Sequence, residues 1–85
     1  MNEEMNSLLK ITELAYKVST AKKADVFVNY APHVNNVDVV IHKEGYSEDN
    51  ESQMYFVYLD NRYRCIGKTL HTETVIKMLE DMLNE

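Results

Sequence analysis

At 85 residues the chain is the size of one domain, too short for two hydrophobic cores and long enough for one marginal core without metal or disulfide staples. Hydrophobic residues at 45%, charged residues at 27%, two glycines and one proline argue against a disordered tail; no apolar run approaches the ~18 residues of a membrane span, and the acidic start MNEEMNSLLK argues against a secretory signal. A net charge of −5 repels a nucleic-acid backbone unless the few cations gather on one face, so acidity favours a protein partner over DNA or RNA.

In chain order, Met5, Leu8, Ile11, Ala15 and Val18 recur at helical spacing, widened by Leu9 and Leu14, and predict an amphipathic helix from about Asn2 to Ala21. Lys22 and Lys23 suit its C-terminal end. Val26 to Tyr30 is a β-rich run closed by Ala31-Pro32, because proline lacks a ladder donor. Asn35-Asn36 suits a tight turn into a second strand, Val37 to His42. The polar stretch from Lys43 to Ser52 carries Glu44, Glu48, Asp49 and Glu51 and predicts an acidic, solvated loop. Gln53 to Leu59 and Arg62 to Gly67 flank Asp60-Asn61 and predict a hairpin of strands three and four. Thr72 as N-cap, Glu73 in the first turn and the stripe Val75, Ile76, Leu79, Met82, Leu83 predict a closing helix. The expected fold is α+β, ordered α-β-β-β-β-α, an antiparallel meander with both helices on one face, in a single domain over residues 1–85.

A hairpin symmetric about Asp60-Asn61 sets Tyr58 against Tyr63, Phe56 against Cys65 and Met54 against Gly67, an almost wholly apolar side that is the expected core face. Val37, Val39 and Ile41 supply the same face from strand two, and Val26, Val28 and Tyr30 from strand one. The uncovered face would then show Phe27, Val40, Tyr55, Val57, Leu59 and Ile66, a candidate protein-contact surface for a second copy or another protein. The plainer alternative is an ordinary, partly apolar sheet face.

No chemistry-bearing constellation stands out. His33, His42 and His71 lack metal-ligand spacing, so no metal or cofactor is expected. Cys65, the single cysteine, reads as a buried reduced thiol, which fits a cytoplasmic setting. The loop sequence EDNE lacks the alternating oxygen ligands and central glycine of a calcium loop. With no phosphate loop or nucleophile elbow either, an enzyme is not expected.

The order of helix, antiparallel strands and helix resembles the double-stranded RNA-binding domain, and Ala31-Pro32-His33 falls where that family has a Gly-Pro-x-His loop. Here proline and histidine are adjacent, and Thr69-Leu70-His71-Thr72 lacks the lysine cluster with which that family grips phosphates, so RNA binding is not expected. The run VFVNYAPHVNNVDVVIHKEGY, the later YFVYLD and the short acidic C-terminal helix resemble small proteins of bacteriophages and prophages of Gram-positive bacteria. That resemblance implies a phage context and no particular activity. The leading expectation is a non-enzymatic protein-interaction module acting through the open sheet face or the acidic loop. The alternative is an acidic decoy of a nucleic-acid-binding protein, with Glu73, Glu80 and Asp81 joining the loop carboxylates.

Overall fold

A computed structural model describes residues 3–43 and 52–85. Helix α1 (Glu3–Thr20) turns Ile11, Leu14, Ala15 and Val18 inward, a narrower stripe than the spacing predicts, since Met5 and Leu9 stay exposed. Glu3 and Glu4 in its first turn and Lys17 in its last complement the helix dipole. Glu13 and Lys17 pair at 2.8 Å one turn apart, and the hydrogen bond from Lys17 lowers the Glu13 pKa.

The helix stops in a left-handed cap. The Lys23 amide donates to the Val18 carbonyl (3.2 Å) and the Lys22 amide to the Ser19 carbonyl (3.1 Å), with Lys22 at φ 59°. A lysine therefore occupies a position that favours glycine.

Four strands follow among the described residues: β1 (Asp25–Ala31), β2 (Asn36–His42), β3 (Gln53–Tyr58) and the two-residue β4 (Thr69–Leu70), in spatial order β1-β2-β3-β4. Between β1 and β2 the chain makes a 3-10 turn over Pro32–Val34, and Asn35 takes the left-handed conformation (φ 53°) that asparagine tolerates. The β1–β2 and β2–β3 pairings are antiparallel. Helix α2 (Thr72–Leu83) then buries Val75 and Leu79. Both helices contribute to one core cluster with Val37, Val39, Ile41 and Val57, so they cover a single face of the sheet. Each fully buried Leu, Ile or Val contributes about 1.5–3 kcal/mol, which makes this layer contact the main source of stability.

The last part of the meander departs from the expectation. Residues 62–67 do not form a strand antiparallel to β3; only Ile66 makes an isolated bridge, to Thr69. The turn at Asp60-Asn61 does form, with the Asn61 amide donating to the Tyr58 carbonyl at 2.8 Å. Beyond it, Asp60 seizes Arg62, accepting from its backbone amide (3.2 Å) and pairing with its guanidinium (2.7 Å), which diverts the chain from a ladder. A second turn, through Gly67 at φ 60°, reverses the direction, and β4 joins β3 in parallel, with the Phe56 amide donating to the Lys68 carbonyl at 2.7 Å.

The cap of α2 differs too. His71, not Thr72, is the N-cap, and its side chain makes no capping bond. Asn61 reaches across instead: its side-chain carbonyl accepts from the Thr72 amide (3.0 Å), and its side-chain amide donates to the Thr72 hydroxyl (3.3 Å).

Two stability outcomes follow from these ends. Lys22→Gly removes the left-handed strain and should raise stability by about 0.5–1 kcal/mol, read as a higher urea midpoint at unchanged m-value. Asn61 also holds a positive φ (54°), so Asn61→Gly keeps the turn but deletes the cap and should cost about 1 kcal/mol in the same assay, and Asn61→Ala should cost more because it adds strain.

Candidate functional site

The face of the sheet away from the helices is set by the β2–β3 ladder. Val37 lies directly opposite Val57, and Val39 opposite Tyr55. Directly paired residues project to the same side, and Val37 and Val39 are buried, so Val57 and Tyr55 go inward with them. Val57 is 0% exposed, Leu59 is buried beyond the strand end, and Tyr55 packs against the core. These three residues were expected on the contact surface; they belong to the opposite side. Met54, Phe56 and Tyr58, expected in the core, stand on the open face.

The remaining expected contact residues fare differently. Phe27 and Val40 are paired across β1 and β2 on the open face, Phe27 exposed and Val40 half-buried. Ile66 is 70% exposed but projects from the irregular segment between β3 and β4. Cys65, expected beneath the helices, is exposed as well. Its sulfur accepts from the His71 backbone amide at 3.2 Å and lies 3.9 Å from the Thr74 hydroxyl, beside the start of α2.

Along β3 the open face carries Met54, Phe56 and Tyr58, and the segment that follows extends it. Tyr63 packs edge-on against Tyr58, ring centres 4.6 Å apart, and the Arg62 guanidinium sits 5.7 Å from the Tyr58 ring centre. The hydrogen bond from Arg62 holds the Asp60 carboxyl below the ordinary aspartate range, so this clasp persists in mild acid. The Tyr63 carbonyl meets His71 Nε2 at 2.6 Å, which ties the segment to α2. Tyr58, Arg62, Tyr63, Arg64, Ile66 and Thr69 together line an open depression of about 590 Å³. Both arginines of the chain stand here. Arg64 is exposed and makes no ion pair among the described residues.

Elsewhere, His42, the last residue of β2, is 8% exposed, its ring edge-on to Phe27 at 5.6 Å. His33 is exposed in the 3-10 turn. No cluster of metal-ligating side chains occurs among the described residues, and no helix among them is long and apolar enough to cross a membrane. Glu44, Glu48, Asp49 and Glu51 of the expected acidic loop lie outside the described residues. Glu73 lines a second cleft with Glu3, Glu4 and Asp60, between the starts of the two helices, whereas Glu80 and Asp81 lie exposed further along α2.

Sequence reasoning missed Met54, Phe56, Tyr58, Tyr63, Arg62 and Arg64 as one surface. The available signal was the ladder with strand two: Val37 and Val39 must take their β3 partners inward with them. Comparison with protein-family models, curated proteins and solved structures finds no match to this chain.

Proposed function

We propose that this chain is a non-enzymatic protein-interaction module that docks a partner protein on its open sheet face, centred on Tyr58, Tyr63 and Arg64. The single observation that carries the reading is the company the two arginines keep. In a chain of net charge −5, both stand beside the edge-on pair of tyrosines at the rim of an aromatic sheet face. Tyrosine and arginine are the residue types that dominate binding energy at protein interfaces, since each offers a large apolar area with a polar group at its edge.

The chemistry also specifies the partner. Arg62 is occupied by Asp60, so Arg64 is the cation left to meet a carboxylate, while the depression beside Ile66 accepts an apolar or aromatic side chain. The partner therefore presents an apolar side chain next to an acidic one. The resemblance to phage and prophage proteins supports a phage origin and a host protein in that role.

Capture from a host lysate on immobilised wild-type chain, compared with Tyr58→Glu and Arg64→Glu, tests the proposal. Both variants should keep the wild-type circular dichroism spectrum, and each should weaken the captured complex by ~30-fold or more. Retention of the same partner by all three proteins, or by none, would overturn it.

A further inference from the structure

Among the described residues strand β1 forms one edge of the sheet, and its free side is open only at its centre. The Val26 amide donates to the Ser19 hydroxyl at 3.0 Å, so it points away from β2. In an antiparallel ladder the outward direction recurs at every second residue, so the amides and carbonyls of Val28 and Tyr30 point outward as well. Neither amide has a partner among the described residues. The register with β2 runs without a bulge from Asp25 to Ala31, and the strand contains no lysine or proline, so the usual protections of an edge are missing from its middle.

Both ends are closed. At Val26 the Ser19 hydroxyl occupies the place where a neighbouring strand's carbonyl oxygen would lie. At the other end Pro32 has no amide hydrogen, and its carbonyl accepts from Asn35 at 3.3 Å.

We infer that this edge pairs with the same edge of a second copy, antiparallel about a two-fold axis at Asn29. In that register Val28 faces Tyr30 of the other copy, so both open amides of each chain meet both open carbonyls of its neighbour. Val26, whose donor is already used, falls opposite Pro32, which has no donor to lose. Shifting the pairing to centre on Val28 would drive the Tyr30 carbonyl into the Ser19 hydroxyl, so the structure selects one symmetric register.

Helix α1 borders the same edge: Ser19, bonded to it, is near the helix's C-terminal end, and Leu8 lines a pocket with Tyr30 at the other. A two-fold axis perpendicular to the sheet at Asn29 keeps the helices of both copies on one face of a continuous sheet. The area involved is modest, and association in the range of ~10–100 μM is expected.

Sedimentation velocity up to ~1 mM, with amide hydrogen exchange, tests this. The wild-type chain should shift from its 9.9 kDa monomer to a dimer, and exchange at Val28 and Tyr30 should slow as concentration rises. Val28→Pro, which removes an outward amide, should weaken the dimer at least ~10-fold. Asn29→Lys and Asn29→Glu cover the case in which the proline variant misfolds: each alone should remain monomeric, and an equal mixture should dimerise. A monomer at every concentration, a dimer indifferent to the Asn29 pair, or a dimer lost only with Tyr58→Glu would overturn the inference.

Discussion

The pairing of Val37 with Val57 decides which half of this protein meets water. Side chains alternate strictly along a strand, and residues directly opposite each other share a face, so a buried residue on β2 commits its β3 partner. Once Val37 and Val39 lie under the helices, Val57 and Tyr55 must lie there too, and Met54, Phe56 and Tyr58 have only the far side. The aromatic open face is thus a consequence of the ladder and of where the helices sit, independent of any preference of phenylalanine or tyrosine for solvent.

Much of the architecture is legible in the residue pattern. The two helices declare themselves by spacing, β1 and β2 by their β-branched runs, and the core residues Val37, Val39 and Ile41 by alternation. The face of β3 is not legible from its own residues, because QMYFVYL is apolar on both sides and alternation has nothing to distinguish. Its true register comes from β2, across a long connection, whereas the local expectation relied on a hairpin with residues 62–67. That hairpin is pre-empted by side-chain contacts invisible to a periodicity argument: Asp60 holds Arg62, and Asn61 turns to cap α2. The Thr72 cap was misplaced for the same reason, since its partner comes from a turn eleven residues earlier.

Those same contacts link the fold to the candidate surface. Asp60 and Asn61 end β3 and start α2, and in doing so they swing the segment bearing Arg62, Tyr63 and Arg64 beside Tyr58. Carboxylates cluster along the helices and in the cleft between their starts, while the arginines stand at the rim of the bare sheet.

The face assignment of β3 is most directly tested by a matched pair of substitutions, Phe56→Asp and Val57→Asp, followed by urea unfolding. A charge at Val57 is buried without a partner and should abolish folding, whereas a charge at Phe56 can reach water and should change stability by no more than about 1–2 kcal/mol. The reverse result, a folded Val57→Asp and an unfolded Phe56→Asp, would contradict the account.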